Sequence, residues 1–353
     1  MNFDYSEEQQ LLADSVRRFL QNSYQFEDRK KIIDGEGWST KVWATIAEMG
    51  LTGLPVPAEQ GGFGGGAVDL MGVMEAFGEA LVVEPFLSSA VATRLVARGG
   101  SEAQKKTLLP AVAEGRMKLA MAHEEKGSRY GMKGFQSVFR KNLLSGEKSA
   151  VLGAPIADWL VVATADGMCL VETKRAQLKS FRSLDSVIAA DVTFGGVPAE
   201  PLGGGLPALE EAIDYATALV CAEAVGAMKF SCDTTLEYLK TRKQFGVPIG
   251  TFQALQHRIV DMYISYEQAK SMSCLACSRI DFSENSKDRA RAVSMAKIKI
   301  ADNARHVSQE AVQLHGGMGM SEELKVSHAF RRLTAIARQF GDADFHLERF
   351  ASL

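Results

Sequence analysis

One stretch of the chain, 241–262 (TRKQFGVPIGTFQALQHRIVDM), combines charge, a rigid turn and amide side chains in an order that suits the binding of a polyanion. The cations Arg242 and Lys243 come first, a turn containing two glycines and a proline follows, and the next helix carries Gln253 and Gln256. Glycine permits unusual backbone angles and proline fixes the bend, so the cations and amides are held at one corner. A solvated helix–helix corner is the alternative interpretation, because charged residues are usually exposed.

Composition limits the class of protein that presents this corner. The chain has 353 residues, which suggests two or three domains. Its net charge of −3 and its pI of about 6.1 do not favour nucleic acid, which usually leaves a basic footprint. No run approaches the roughly 18 apolar residues of a membrane span, and the acidic N-terminus, MNFDYSEEQQ, lacks the parts of a secretion signal. We therefore expect a cytoplasmic protein that binds neither nucleic acid nor membranes.

The cysteines do not indicate redox or metal chemistry. There are five, Cys169, Cys221, Cys232, Cys274 and Cys277, scattered through apolar segments. They are expected to be small buried side chains in a reducing compartment. The CxxC formed by the last two has no second pair, and a zinc site needs four ligands. No metal site is predicted.

Hydrophobic periodicity predicts three domains. Residues 1–115 are helical and begin with a capping box, Ser6 to Gln9. Residues 116–205 contain short β-like runs and a hairpin signal at 165–167, which predict a small antiparallel β-domain. Residues 206–353 predict a four-helix-bundle-like domain, and the fold class is therefore α+β, mainly helical. The helices expected in it cover about 207–241, 250–281, 287–315, 321–339 and 341–351.

A glycine-rich run, 57–66, invites comparison with a phosphate-binding loop. It lacks the GK[ST] signature, and no clear parallel strand precedes it. A flexible connector between helices is the prediction for this segment.

Two motifs make the sequence resemble the acyl-CoA dehydrogenase family of flavoproteins. RKQFGVPIGTFQALQ, which starts at Arg242, matches the family's RxxFGxxIxxxQ signature. QLHGGMGMSEE, which starts at Gln313, is similar to the family's QxxGGxGxxxE segment. The order of helical domain, β-domain and helical bundle also agrees, so the resemblance covers essentially the whole chain.

The resemblance implies FAD as cofactor and α,β-dehydrogenation of an acyl-CoA thioester to the trans-2-enoyl-CoA. Arg242 would bind the FAD pyrophosphate by charge-assisted contacts, and Gly316 and Gly317 would let the backbone approach the phosphates. In this family such residues reach across a subunit interface, which implies a homo- or hetero-tetramer. The cofactor-binding residues implied are Arg242, Phe245, Gln253, Gln313, Gly316 and Gly317, with Gln256 beside them.

The family's catalytic base is a glutamate in a YEGT-like motif near the C-terminus. Aligning the last helix places that position on Asp342, one methylene shorter than glutamate. The alternative interpretation is that Asp342 and Asp344 are ordinary first-turn acids, which the helix dipole favours. A second candidate for the base is Glu223, on the first bundle helix, although its largely apolar surroundings favour a helix-surface or packing role.

The β-domain departs from the family pattern. The family's TEPxxGSD loop over the flavin corresponds to 123–130 (HEEKGSRY), and its W-[IV]-[ST] segment corresponds to 150–152 (AVL), without aromatic or hydroxyl. The chain thus keeps the pyrophosphate-binding half and has lost part of the ring-binding half. This resembles the small subunit of bacterial pimeloyl-CoA dehydrogenase-type heterotetramers, which implies a non-catalytic subunit that lends pyrophosphate contacts to its partner.

Both interpretations imply a role in fatty acid or dicarboxylate degradation, with electron-transfer flavoprotein as the acceptor. The acyl chain is not determined by the sequence. Lys126 and Arg129, in the altered loop, are candidates to meet a distal carboxylate, and exposed surface charges are the alternative.

Overall fold

The computed structural model describes residues 5–132 and 134–353, so residues 1–4 of the N-terminal segment lie outside the described residues. The chain separates into two compact units. The first, here the bundle unit, comprises Met1–Lys30, Ala67–Val82 and Thr217–Leu353. The second, here the sheet unit, comprises Lys31–Gly66 and Val83–Ala216. The three domains predicted from the sequence remain a prediction.

Eleven α-helices are present in the described residues. They are α1 (Glu7–Ser23), α2 (Phe26–Asp34), α3 (Thr40–Glu48), α4 (Ala67–Ala80), α5 (Phe86–Gly99), α6 (Glu102–Ala113), α7 (Gly205–Thr241), α8 (Gln253–Phe282), α9 (Ser286–His315), α10 (Lys325–Ile336) and α11 (Ala343–Ser352). The predicted capping box is confirmed, because the Ser6 side chain accepts from the Gln9 amide and the Gln9 side chain returns to the Ser6 amide.

Ten strands are present in the described residues. They are β1 (Leu119–Ala122), β2 (Val138–Arg140), β3 (Leu143–Leu152), β4 (Trp159–Thr164), β5 (Gly167–Glu172), β6 (Gln177–Arg182), β7 (Ile188–Pro198), β8 (Glu200–Leu202), β9 (Lys243–Gln244) and β10 (Val247–Pro248).

The bundle unit is built around α9, which packs against α8, α10 and α11. Two helices in this unit approach at glycines. A Cβ on Gly78 of α4 would lie 1.9 Å from the Glu223 carbonyl oxygen, and a Cβ on Gly226 of α7 would lie 1.8 Å from the Glu75 carbonyl oxygen. Side chains at either glycine would force the backbones apart, so the packing of α4 on α7 depends on both.

The sheet unit contains two four-stranded sheets, ordered β1-β4-β5-β8 and β2-β3-β7-β6. The predicted hairpin is confirmed, because β4 and β5 pair antiparallel with Thr164 opposite Gly167. One pairing was not predicted: β1 lies parallel to β4, with Leu119 opposite Trp159. The core of this unit is made mostly of alanine and valine side chains, with Leu144, Leu160 and Phe194 among them.

The glycine-rich run is a hydrogen-bonded loop rather than the flexible connector predicted. The Gly65 amide donates to the Leu54 carbonyl at 2.7 Å, and the Gly64 amide donates to the Val56 carbonyl at 2.8 Å. A Cβ on Gly62 would lie 2.1 Å from the Val56 carbonyl oxygen. Glycine is therefore used here to close a tight loop, as the chain must pass close to its own backbone.

Candidate active site

The corner predicted to bind a polyanion is a short hairpin between α7 and α8. The Arg242 amide donates to the Tyr238 carbonyl, and the Arg242 carbonyl accepts from the Ile249 amide, both at 2.8 Å. The two-residue strands β9 and β10 then pair antiparallel. These backbone bonds fix where the Arg242 side chain starts, and the residue itself is exposed. We call the segment 242–253 the arm.

Phe245 forms the tip of the arm. Its φ is 53°, in the left-handed region, and it is 90% exposed. Its ring lies edge-on to the Phe252 ring, with 6.1 Å between the centroids. A strained, exposed aromatic side chain is an unusual feature for a surface that faces only water.

A second turn follows α9 and supplies open backbone. Gly316 has a φ of 62°, and a Cβ on Gly316 or Gly317 would meet nothing within 4 Å. Gln313, on the last turn of α9, is exposed. The ring of His315 stacks on the ring of Tyr238, at 4.3 Å between centroids, and this contact holds the end of α9 against the end of α7.

These residues fit FAD. An exposed guanidinium supplies a planar fork of donors for a pyrophosphate, and the space next to Gly316 and Gly317, which any side chain would fill, admits phosphate to the backbone. Of the two predicted amides on α8, Gln256 donates to the Gly250 carbonyl at 2.9 Å and so braces the turn. Gln253 is exposed at the start of the helix and is the better donor for a bound adenosine.

Asp342 lies in a different place, at the N-terminus of α11. Its carboxylate accepts from the Phe345 amide at 2.9 Å, which is the N-cap interaction of this helix. Two residues with positive φ precede it, Phe340 at 59° and Gly341 at 115°. Asp344, in the first turn, is exposed.

The structure does not bring Asp342 next to the arm of its own chain. The helix that Asp342 caps packs on the first part of α9, where the His346 Nδ1 lies 3.3 Å from the Ser294 hydroxyl. His315, at the arm, follows Ser294 by 21 residues on the same helix. At 1.5 Å per residue this is about 31 Å, far more than the contact distance that a reaction requires.

Glu223 is committed to an ion pair. Both of its carboxylate oxygens accept from Arg332, at 2.6 Å each, and both side chains are buried. A buried bidentate pair stabilises the ionised carboxylate and blocks its oxygens. This geometry is that of a packing role rather than of a base.

The altered loop of the sheet unit is held by a buried charge pair. Lys148 Nζ lies 2.6 Å from the Glu125 carboxylate, and the side chain of Lys148 is 0% exposed. Glu125 also accepts from the amides of Gln136 and Ser137. Although burial alone raises it, the hydrogen bonds from Gln136, Lys148 and Ser137 lower the pKa of Glu125 to about 2.

Two cationic candidates in that loop, Lys126 and Arg129, are exposed.

At the position of the missing aromatic, Ala150 has a φ of 50°, and its amide donates to Asp191 at 3.0 Å. A local bulge in the pairing of β3 with β7 accompanies this turn. The segment 150–152, predicted to correspond to the family's aromatic motif, therefore forms a tight turn without an aromatic side chain.

Sequence reasoning missed two buried side chains around Asp342. Lys297 and His346 are both buried and hydrogen-bonded to carbonyls of the segment before it. A signal for Lys297 exists in the sequence, because it lies on the same helical face as Val293 and Ile300.

Among the described residues, no helix is long and apolar enough to cross a membrane.

Known proteins with similar sequences and structures match almost the full chain. The acyl-CoA dehydrogenase IpdE2 of Mycolicibacterium smegmatis is 29% identical, over 98% of this chain and 98% of its own. A solved structure described as a steroid ACAD, Tcur3481-Tcur3483 in its G363A variant, is 27% identical and has a TM-score of 0.90, covering 98% of this chain and 97% of its own. PigA, solved with FAD and proline, is 25% identical and has a TM-score of 0.90, covering 100% of this chain and 98% of its own.

Two family models divide the chain between them. The N-terminal domain of acyl-CoA dehydrogenase matches residues 6–116, and the C-terminal domain matches residues 203–352. The predicted fold is confirmed by the solved neighbours. The chain belongs to the acyl-CoA dehydrogenase family.

Proposed function

We propose that this chain takes part in the FAD-dependent α,β-dehydrogenation of an acyl-CoA thioester to the trans-2-enoyl-CoA, with electron-transfer flavoprotein as the acceptor. The enzyme class is acyl-CoA dehydrogenase and the cofactor is FAD. The observation that carries the proposal is the exposed guanidinium of Arg242 on the arm, together with the turn at Gly316 and Gly317, where open space lets a pyrophosphate approach the backbone.

The arm is proposed to bind FAD across a subunit interface. Its own chain places Asp342 at the other end of α9, about 31 Å away along the helix. A flavin whose pyrophosphate lies on this arm therefore has its ring closer to another subunit than to this Asp342. The exposed Phe245 at the tip supports the same conclusion, because a subunit contact would cover it.

In the proposed reaction Asp342 takes the α-proton of the thioester as a base. When bound, FAD supplies the acceptor for the hydride that leaves the β-carbon, and the two carbons become double-bonded. The carboxylate must be ionised and held at a fixed position next to the α-carbon. Phe345 donates its amide to one oxygen of Asp342, which orients the other.

A second candidate function is a non-catalytic small subunit that lends its arm to a partner, as in pimeloyl-CoA dehydrogenase-type heterotetramers. Two observations favour it. The carboxylate of Asp342 already serves as an N-cap, and the segment at Ala150 offers no aromatic ring to a flavin. The steroid ACAD neighbour, Tcur3481-Tcur3483, is described by two chain names, which is compatible with a partner of related sequence.

Asp342→Asn separates the two functions. Asparagine retains the N-cap and removes the base, so FAD binding and folding should be unchanged. In the catalytic case, flavin reduction by an acyl-CoA should fall by at least about 100-fold, as expected for loss of a positioned base. Asp344→Asn, two residues away and exposed, is the matched control.

Full activity of Asp342→Asn would exclude Asp342 as the base. If the chain alone binds no flavin, and flavin and activity arise only on co-expression with a homologous chain and survive Asp342→Asn, the small-subunit function is supported. A flavin-loaded, active homo-oligomer would contradict that function.

A further inference from the structure

Lys297 is a buried lysine on the face of α9 that packs into the bundle unit. Its side chain is fully buried, and Val293 and Ile300, one turn away on either side, are fully buried as well. A lysine is almost never enclosed in this way unless its ammonium has partners. Those partners identify what the residue does.

The ammonium of Lys297 binds carbonyls at the C-terminal end of α10. It donates to the Ile336 carbonyl at 2.5 Å and to the Gln339 carbonyl at 2.6 Å. Ile336 is the last residue of α10, and its carbonyl also accepts from the Gln339 amide at 3.2 Å, so Lys297 is a second donor to it. A cation at this end also complements the helix dipole.

His346 holds the next part of the same segment. Its Nε2 lies 3.0 Å from the Phe340 carbonyl oxygen, so it donates to that oxygen as a neutral imidazole. Burial, with the nearby charge of Lys297, lowers the pKa of His346 to about 3. A Cβ on Gly341 would lie 2.5 Å from the same ring nitrogen. The left-handed turn at Phe340 and Gly341 is thus fixed from the side of α11 as well.

Asp342 lies close enough to Lys297 for its carboxylate to act on the charge of the ammonium. Arg332, also close enough to act on Lys297, is neutralised by its bidentate pair with Glu223. Burial lowers the pKa of Lys297 to about 8, and the interactions with Cys221 and Asp342 oppose this.

We propose that Lys297 is a positioning residue for Asp342. By donating hydrogen bonds to the carbonyls of Ile336 and Gln339, Lys297 fixes the C-terminal end of α10. Together with His346 it fixes the turn that places the Asp342 carboxylate at the start of α11. The inference rests on the proposed function only in taking Asp342 as the base. The structural half, that Lys297 orders the segment 336–346, stands independently.

Lys297→Met tests both halves, because methionine keeps the volume and removes the donors and the charge. Amide hydrogen exchange in 337–346 should become at least about 10-fold faster, since the segment loses two of its backbone contacts. In the active holoenzyme, kcat for flavin reduction should fall by about 100-fold, the cost of roughly 1 Å of misplacement, while KM and flavin content change less than about threefold. Solvent exchange of the substrate's α-proton should fall in parallel with kcat.

Lys299→Met is the matched control, because it removes an exposed lysine two residues away on the same helix. It should leave exchange in 337–346 and kcat unchanged. If Lys297→Met does not fold, Lys297→Gln takes its place, because the glutamine amide can still donate to one carbonyl. Lys297→Gln should give smaller changes in amide exchange and kcat, in the same direction.

The outcomes distinguish this inference from the function on which it rests. Unchanged exchange in 337–346 would overturn the ordering role whether or not the protein is active. Faster exchange in that segment with an unchanged kcat and α-proton exchange would overturn the positioning role and leave the proposed function intact. A wild-type chain that neither bleaches with an acyl-CoA nor exchanges an α-proton would refute the proposed function, and faster exchange in 337–346 would still support the structural half.

Discussion

The most specific prediction concerns Arg242 and the affinity for FAD. Arg242 is exposed in the chain, so Arg242→Ala should change the free energy of unfolding by less than about 0.5 kcal/mol. Its proposed contact is a charge-assisted hydrogen bond to the FAD pyrophosphate, worth about 1.5–3 kcal/mol. At about 1.4 kcal/mol per tenfold, the Kd for FAD should rise by about 10- to 150-fold.

Arg242→Lys should give an intermediate loss, because lysine retains the charge but not the planar fork of donors. Lys243→Ala is the control, since Lys243 is an exposed cation next to Arg242. If the arm attracted FAD only by its general positive charge, both alanine variants would weaken binding equally and salt would suppress both effects.

The assay is titration of the flavin-free oligomer with FAD, followed by flavin fluorescence. In the small-subunit case the same titration uses the complex with the homologous partner. An unchanged Kd for Arg242→Ala, or equal losses for Arg242→Ala and Lys243→Ala, would refute the pyrophosphate contact.

Three further predictions concern stability. Lys148→Met should lower the free energy of unfolding in urea by about 3 kcal/mol, the lower end for breaking a buried ion pair. The lower end is expected because burial, which lowers the pKa of Lys148, disfavours the ammonium, while the low pKa of Glu125 shows that the carboxylate is stabilised. The control Lys174→Met removes an exposed lysine and should lower the free energy of unfolding by less than about 0.5 kcal/mol. Glu125 has a pKa of about 2 against its ordinary 4.5, so its contribution of about 3 kcal/mol to the free energy of unfolding should be complete above pH 4.5 and decline as the pH falls towards 2. An acid-unfolding profile that Glu125→Gln leaves unchanged would contradict this. Gly226→Ala, whose Cβ would lie 1.8 Å from the Glu75 carbonyl oxygen, should cost at least about 1–3 kcal/mol by overpacking, and an unchanged melting temperature would show that the two helices separate easily.

The helices were the most predictable part of the fold, because their apolar residues recur at helical spacing over long stretches. The expected helix at about 287–315 is α9, Ser286–His315. Helix α2 has no such pattern, because its sequence, FEDRKKIID, is mostly charged and only Arg29 in it is buried. Its helical form depends on tertiary contacts, such as the bond from Arg29 to the Leu81 carbonyl, which local patterns do not contain.

The pairing of β1 with β4 could not be predicted for a similar reason. Some 40 residues separate Leu119 from its partner Trp159, and a four-residue apolar run does not indicate which strand it joins. The glycine-rich run 57–66 was interpreted as flexible, since glycine composition does not show that the loop's amides are bonded to carbonyls at 54 and 56.

At the site, the motifs predicted the arm but not what surrounds Asp342. Arg242 follows from residue type and spacing, whereas the role of Gly316 is implied by the resemblance to the family. Lys297 was overlooked because a lysine is taken as exposed by default, although its position between Val293 and Ile300 places it on the buried face. Its role depends on carbonyls of Ile336 and Gln339, about 40 residues later, which only the folded chain brings to it.

The visible spectrum of the purified protein during anaerobic addition of acyl-CoA thioesters tests the central claim most directly. The chain should be purified alone and together with a homologous partner, and each should receive short, long, dicarboxylic and steroid side-chain thioesters. We predict a flavin spectrum in at least one preparation, bleached by at least one of these thioesters. Absence of flavin from both preparations, or a bound flavin that no acyl-CoA reduces, would contradict the assignment of an FAD-dependent acyl-CoA dehydrogenation to this chain.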